Sequence, residues 1–476
     1  MRISDFFNLG KDQAELDFVN VDPDHDTGLF VDPYAIEIRG DQWSAECGDH
    51  IRSFFSEVLE ALRKGNEPRA AHLVGHLKEP KDTFLGVSSG KPKGRGVGDF
   101  QSDQLLQALR DSVAFKTGLL EDLAEAELFI RGIGRDKISD VTTNIIRGPL
   151  ITYTQSQCAL HGMTMRESVP SGPIWNPVKA DWEERYTSFP FVQRRKVLLV
   201  PKYSVRWQLS LESKEFYEQY MINFLQAEYQ SGPSSLVRIL SNGRPRVYKK
   251  DVKERHPLVK DDLAKFARDH PEILAEYKQR KSSLGALGNE DIDQNFDECL
   301  FAGVLSERLK QIAEGHGSAS AYHSFITGVL TFLFYPHLIR PVKEKEIHEG
   351  RKRIDILFTN AGQEGFFHQM LSAAQTRSIV VPVECKNYKE DIANPEFDQL
   401  GQRFGHQRGF FGLLMCRSLV DRATAIKRCR DSVNDGRGYI IILTDADVEE
   451  MLLLVSGNRR SAISETLRTR FAEITL

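Results

Sequence analysis

Three residues in the last third of the chain have the types that a metal-dependent hydrolytic site needs: Asp355, Glu384 and Lys386. Carboxylate oxygens are the ligands that Mg²⁺ prefers, and the ion keeps waters that substrate phosphate oxygens can replace. A lysine on the same face can orient the attacking water or neutralise charge that develops on the phosphoryl group. The three residues therefore predict metal-assisted hydrolysis of a phosphodiester bond.

Two strand-like segments must position these side chains. In Arg353–Phe358 successive side chains alternate between two faces, so Asp355 projects away from the apolar side of the strand. In Val381–Lys386 the same alternation puts Glu384 and Lys386 on one face, about 7 Å apart along the strand. The carboxylate and the ammonium group are therefore expected to emerge together.

The Glu-x-Lys spacing is weak on its own, because it also occurs at Glu79–Lys81, Glu212–Lys214 and Glu276–Lys278. Only Glu384–Lys386 ends a strongly apolar strand and follows a predicted hairpin that carries an aspartate. The competing interpretation is an exposed acid–base pair at a strand end, which ordinarily contributes less than about 1 kcal/mol.

From about residue 295 the pattern becomes a regular alternation that predicts an α/β sheet with helices on its faces. The expected elements are helices Phe296–Ala313 and Ala319–Phe334, hairpin strands Val342–His348 and Arg353–Phe358, strand Ile379–Cys385, helix Glu396–His406, strand Phe410–Cys416, helix Asp421–Val433, strand Tyr439–Leu443, and a helix capped by Thr444–Asp445 that runs through Met451–Leu454.

The segments RIDILF at Arg353–Phe358 and VPVECKNY at Val381–Tyr388 resemble the motifs of the PD-(D/E)xK nucleases, which have the restriction-endonuclease-like fold. The resemblance covers roughly residues 296–455. It implies that Asp355 and Glu384 bind Mg²⁺, for which Mn²⁺ can substitute, and that Lys386 is the catalytic lysine.

The chain departs from the family pattern in two places. Ile354 occupies the position where the family often has proline, which is common in so divergent a family. The segment between Asp355 and Glu384 is 28 residues long. This spacing implies that Asn360–Arg377 forms an insertion beside the site.

The resemblance also suggests two further site residues. Members of the recombination type often carry a glutamine on the helix after the lysine, and Gln399 matches better than Gln402 because it is closer to the motif. An ordinary glutamine on a helix surface explains Gln399 equally well. An additional upstream acid is usual, for which Glu349 is nearest, with Glu346 and Glu307 as alternatives.

The predicted sheet region is more basic than the rest of the chain. Between Pro336 and Ile440 there are 17 Lys/Arg against 13 Asp/Glu. Such a patch beside a cleft suits a nucleic-acid backbone, although a solvated hairpin face is equally compatible with each single residue. The residues that cluster on the hairpin are Lys343, Lys345, Arg351, Lys352 and Arg353.

Composition limits the other classes of function. The 476 residues carry 63 Lys/Arg and 67 Asp/Glu, so a net charge of −4 gives no overall positive field, and residues 1–60 alone carry 14 acidic against 4 basic side chains. The six cysteines form no CxxC pair, which argues against zinc modules and a secreted disulfide framework. No signal peptide is recognisable, and the apolar run Phe325–Phe334 is too short to span a bilayer. We therefore expect a cytoplasmic protein.

The chain length favours two to four domains. We predict a mainly helical α+β region over residues 1–290, with a role in sensing, recruitment or regulation of the nuclease. We predict a nuclease-like α/β domain with a mixed sheet over residues 291–476. The expected function is a Mg²⁺-dependent endonuclease acting on DNA, in an architecture that resembles prokaryotic defence or restriction proteins. Two alternatives stay open: an RNA-directed nuclease, and a non-cleaving protein that binds nucleic acid or assembles. A homo-oligomer or a defence-system partner protein is compatible with this architecture.

Overall fold

The structure is a computed structural model that describes residues 1–86, 97–242, 244–343 and 356–476, with residues 97–103 described by their backbone alone. Helices and short strands alternate along it, and a five-stranded mixed sheet lies in the C-terminal part. The predicted mixed α/β class is therefore confirmed. Among the described residues, no helix is both long and apolar enough to cross a membrane.

The N-terminal part consists mainly of helices, joined by two- and three-stranded sheets of short strands. Its helices are α1 (Ile3–Phe6), α2 (Pro33–Glu37), α3 (Gln42–Arg63), α4 (Glu67–Val74), α5 (Val97–Asp111), α6 (Val113–Thr117), α7 (Ala126–Phe129), α8 (Arg135–Ile145), α9 (Arg147–His161), α10 (Ser213–Glu215), α11 (Ile222–Ser231), α12 (Lys249–Arg255), α13 (Lys260–Asp269), α14 (Pro271–Ser282) and α15 (Asn289–Ile292). Its strands are β1 (Phe30–Val31), β2 (Met165–Pro170), β3 (Ile174–Asn176), β4 (Asp181–Glu183), β5 (Tyr186–Val192), β6 (Arg195–Lys196), β7 (Val205–Arg206), β8 (Arg238–Ile239) and β9 (Pro245–Arg246).

The C-terminal part is a sheet with the strand order β10-β11-β12-β13-β14. The first three strands pair antiparallel, whereas β12, β13 and β14 are parallel to one another. Its strands are β10 (Leu338–Val342), β11 (Ile356–Asn360), β12 (Val380–Lys386), β13 (Phe411–Cys416) and β14 (Tyr439–Thr444), and its helices are α16 (Glu298–Gln311), α17 (Ala319–Phe334), α18 (Gly365–Ser372), α19 (Asn394–Gly401), α20 (Arg422–Asn434), α21 (Asp445–Ser456) and α22 (Ile463–Thr475).

Most of the predicted elements are present, but the first strand of the predicted hairpin begins earlier than expected. The first strand was expected over Val342–His348, yet β10 begins at Leu338 and ends at Val342. It begins earlier because Leu338 and Ile339 are the apolar residues that are fully buried here. Residues 344–355 of the predicted hairpin lie outside the described part of the chain. The final helix α22 was not predicted.

The segment between β11 and β12 is not an insertion beside the candidate site. It forms helix α18, whose Phe366 packs against Phe411 at the start of β13 and against Phe471. Because β11 and β12 are antiparallel, the connection from the end of β11 meets the beginning of β12. The candidate residues Glu384 and Lys386 lie at the other end of that strand.

A buried polar junction joins the two parts. Lys11 and Glu15 contact α17 at Gly328, where an added Cβ atom would lie 2.6 Å from both side chains. The Arg308 guanidinium lies 3.0 Å from the Glu15 carboxylate, and Lys11 donates a hydrogen bond to a carbonyl oxygen of α17. The domain boundary near residue 290 stays a prediction, since buried contacts cross it.

The buried imidazole of His161 generates a pH dependence of stability. Burial, together with the nearby Lys11 ammonium group, lowers the pKa of His161 from 6.5 to about 3. Between these values the unfolded chain binds a proton that the folded chain does not, so stability falls as the pH drops, by up to about 1.4 kcal/mol per pH unit. We predict that His161→Leu removes this contribution, measured as the free energy of urea unfolding from pH 7 to pH 4. His25→Leu, at a side chain that is 82% exposed, is the control. Parallel curves for wild type and His161→Leu would contradict the prediction.

Candidate active site

The end of strand β12 presents its side chains alternately to the two faces of the sheet. Lys386 reaches toward α19, where its Nζ donates a hydrogen bond to Gln399 Oε1 at 3.4 Å. On the opposite side, His323 Nε2 on α17 donates to the carbonyl oxygen of Cys385 at 3.0 Å. Glu384 shares the Lys386 face because it is two residues away along the strand. Strand β12 thus presents Glu384 and Lys386 on one face, while a hydrogen bond from His323 attaches the same strand end to α17.

Glu384 and Lys386 form an ion pair, with Lys386 Nζ 2.8 Å from Glu384 Oε1. The Glu384 side chain is 1% exposed and that of Lys386 is 13% exposed. The pair is therefore not the exposed strand-end pair that the sequence left open as an alternative. Removal of one partner from a buried pair typically costs about 3–5 kcal/mol, because the other charge stays buried without compensation.

The strand pairing keeps Glu384 at a fixed position in the sheet. Its neighbour Val383 pairs with Ile356 on β11, and Glu384 itself pairs with Leu414 on β13. These partners are fully buried aliphatic residues, so the strand cannot shift its register without exposing them. The candidate carboxylate thus lies in the rigid centre of the sheet.

Several predicted site residues lie outside the described part of the chain. Among those that are described, Lys343 is exposed immediately after β10. Glu307 is exposed on α16, where Lys310 pairs with it at 2.9 Å, and no described contact joins it to Glu384 or Lys386. Gln399 is half-buried and is the glutamine that contacts Lys386. The residues outside the description are Asp355, Glu349, Glu346, Lys345, Arg351, Lys352 and Arg353.

The described residues supply one hard ligand for a divalent cation at this position. The Glu384 carboxylate is the oxygen donor. Asp355 precedes Ile356 in the sequence, and Ile356 pairs with Val383, the residue before Glu384. Within the described ranges, no group of three or more His, Cys, Asp or Glu side chains is arranged to hold a metal ion. The donor chemistry at Glu384 fits Mg²⁺, which takes one or two carboxylates and retains waters.

Asn387, which the sequence analysis did not single out, holds the end of β12 in place. Its Nδ2 donates to the carbonyl oxygens of Ala313 and Gly315 and to Ser318 Oγ, and its own carbonyl oxygen accepts from the Gly315 amide. These bonds tie the strand to the loop between α16 and α17. An asparagine directly after the lysine was the only available signal in the sequence.

Arg403 is a second residue that the sequence analysis missed. It follows α19, four residues beyond Gln399, and only 3% of it is exposed. Its Nε and Nη2 have no hydrogen-bond partner among the described residues. The next residue, Phe404, lies close to Gly412 and Gly438, so Arg403 follows the end of α19 that lies near the beginnings of β13 and β14, away from Lys386.

The other face of the sheet has its own charged cluster. Asp445, at the start of α21, accepts a hydrogen bond from the Tyr322 hydroxyl and lies 2.9 Å from Arg417 Nε. Burial raises the pKa of Asp445 to about 6 although the Arg417 charge opposes this shift. The cluster connects the ends of β13 and β14 to α17. Arg417 Nη2 donates to the carbonyl oxygen of Ile312, whereas its Nη1 has no hydrogen-bond partner among the described residues. Because the cluster joins strand ends to a helix, we interpret it as structural.

Comparisons with known proteins cover only parts of the chain. Residues 8–212 match the family model described as "Domain of unknown function (DUF8370)", a stretch that ends before the sheet. The Escherichia coli (strain K12) "Putative transposon gamma-delta 80.3 kDa protein" is 23% identical over 172 residues, which cover 34% of this chain and 24% of that protein. The chain thus aligns with about a quarter of the length of this curated relative. No solved structure matches the chain.

Proposed function

We propose that the C-terminal part of the chain is a metal-dependent nuclease that hydrolyses phosphodiester bonds of DNA. The observation that carries the proposal is the buried Glu384–Lys386 pair, which ends the central strand of a mixed sheet. The strand order, with an antiparallel β10-β11-β12 and a parallel β12-β13-β14, is compatible with a restriction-endonuclease-like fold. Asp355, next to Ile356 in the sequence, is the second acid that the proposal requires.

Asp355 and Glu384 would hold Mg²⁺, which supplies charge to polarise the phosphate and lowers the pKa of a bound water. Lys386 neutralises negative charge that develops on the phosphoryl group, and its ammonium donors orient the attacking water. The Glu384 carboxylate pairs with this ammonium group, while Gln399 Oε1 accepts a hydrogen bond from it and fixes its direction. The buried position of both charges strengthens these interactions compared with a site in water.

We favour DNA over RNA as the substrate because of the Escherichia coli protein that is similar to part of the chain. The name of that protein associates it with a transposon, which is a DNA element. Lys343 is an exposed cation beside β10 that suits a phosphate backbone, and the other basic residues of the predicted hairpin follow it in the sequence. The N-terminal part would recruit or restrain the nuclease, in a role in prokaryotic defence or restriction.

Replacement of Glu384 tests its role as a metal ligand. We expect Glu384→Gln to abolish Mg²⁺-dependent cleavage of duplex DNA, because the amide is a neutral and weaker ligand. The variant also leaves Lys386 buried without its partner, which lowers the free energy of unfolding by about 3–5 kcal/mol. The double variant Glu384→Gln/Lys386→Gln removes both charges and should regain part of this stability while it stays inactive. Glu307→Gln breaks a surface pair at a similar distance and serves as the control. Cleavage at the wild-type rate by the double variant would contradict the assignment.

The second prediction separates catalysis from metal binding. We expect Lys386→Met to reduce the cleavage rate by about 10²–10³. Binding of Mn²⁺, titrated by calorimetry, should change little because an ammonium group is not a ligand. Lys310→Met is the matched control, since Lys310 forms an exposed pair with Glu307. If Lys386→Met cleaves DNA normally, Lys386 serves only to neutralise Glu384.

A further inference from the structure

The N-terminal part carries an exposed, strongly basic segment outside the candidate site. Residues 238–255 contain seven Lys/Arg and two Asp/Glu in a chain whose net charge is −4. Strands β8 and β9 form an antiparallel hairpin in this segment, with Arg238 opposite Arg246, and α12 follows directly. We call β8, β9 and residues 244 and 247–250 the basic hairpin.

Part of this charge is not neutralised within the fold. Arg238 pairs with Asp251 at 2.7 Å, so its charge is compensated. In contrast, Arg244, Arg246 and Lys249 are exposed and have no acidic partner within 4 Å in the described part of the chain. All three cations lie within six residues of sequence in the basic hairpin. The like charges of such a cluster repel one another unless an anion approaches.

We propose that the basic hairpin is a docking surface for duplex DNA. A two-stranded β-ribbon fits into the major groove, which is about 12 Å wide, while flanking cations contact the phosphates. The exposed Arg244, Arg246 and Lys249 supply those phosphate contacts. Ile239, which is 69% exposed on β8, gives the ribbon an apolar side chain that suits a thymine methyl group.

The aromatic residue of the hairpin argues against a single strand. Single-strand binding uses open aromatic rings on which bases stack. The ring of Tyr248 is already engaged by two guanidinium groups, since Arg246 lies 5.0 Å and Arg238 lies 5.5 Å from its centroid. The same contacts hold both arginines at the surface, which reduces the entropy that they lose on binding phosphate.

The helix beside the hairpin argues against a membrane surface. Helices that lie on membranes insert a broad apolar face next to their lysines. Helix α12 has seven residues, and its one aliphatic side chain, Val252, is fully buried in the protein core. The segment therefore offers charge without an apolar face, as a polyanion requires.

This inference goes beyond the proposed nuclease, because DNA binding by the hairpin needs neither a metal ion nor Glu384 and Lys386. The hairpin also lies outside residues 8–212, so the family match does not include it. A chain with two DNA contacts, one at each part, would hold its substrate while the sheet acts on it.

The test is binding of a fluorescently labelled short duplex to the full-length protein in EDTA, measured by anisotropy over a range of salt concentrations. For Arg244→Glu/Arg246→Glu we expect affinity to fall about tenfold or more, and the slope of log K against log salt to decrease by about two. The control Arg194→Glu/Arg459→Glu makes the same change in net charge at two other exposed arginines. It should bind DNA within about twofold of the wild type, as distant charges are screened.

The docking surface is overturned by absence of duplex binding by the wild-type protein, by unchanged binding of the hairpin variant, or by an equal loss in the hairpin and control variants. Tighter binding of a single-stranded oligonucleotide, or of phosphatidylglycerol vesicles, assigns the surface to another partner and also overturns it. EDTA removes divalent metal ions, so binding is measured without cleavage. The binding result is thus independent of whether the chain is a nuclease.

Discussion

The buried ion pair between Glu384 and Lys386 is the constraint on which the C-terminal part depends. Two charges lose most of their hydration at this position, and their close pairing offsets part of that cost. Strand β12 can hold them because its other side chains and both neighbouring strands are apolar and fix the register. Asn387 and His323 then fasten the same strand end to the helices of the opposite face. Stability and proposed chemistry therefore rest on one segment of seven residues.

A second set of buried charges connects this sheet to the rest of the chain. The Glu15 carboxylate forms an ion pair with the Arg308 guanidinium. The Asp17 carboxylate accepts hydrogen bonds from the backbone amide of Arg340 and the Tyr153 hydroxyl. Asp17 is 1% exposed at this junction, and burial raises the pKa of its carboxyl group. Such contacts require defined geometry, since a displaced partner leaves a buried charge alone. The N-terminal part, with its basic hairpin, is thus held in a set position against the sheet instead of on a free linker.

The sequence predicts regular elements well where their pattern is unambiguous. Helix Ala319–Phe334 is confirmed because its apolar residues fill every turn, and Thr444 caps the next-to-last helix as expected. The alternation in β12 gives the shared face of Glu384 and Lys386, yet it contains no information on what covers that face. Lys386 contacts α19, and the packing of that helix on the strand is a tertiary contact that the alternation does not encode. The partners of Asn387 lie 69 to 74 residues earlier in the sequence and are likewise tertiary contacts.

The most direct measurement is cleavage of supercoiled plasmid, linear duplex, single-stranded DNA and RNA by the purified wild-type protein, with Mg²⁺ or with EDTA. We expect duplex DNA to be cut in Mg²⁺, EDTA to stop the reaction, and Mn²⁺ to restore it. Cleavage of RNA alone would contradict the substrate, and full activity in EDTA would contradict the metal. Failure to cut any of the four with either ion, at concentrations where the protein binds duplex DNA, would contradict the nuclease itself and indicate a non-cleaving DNA-binding protein.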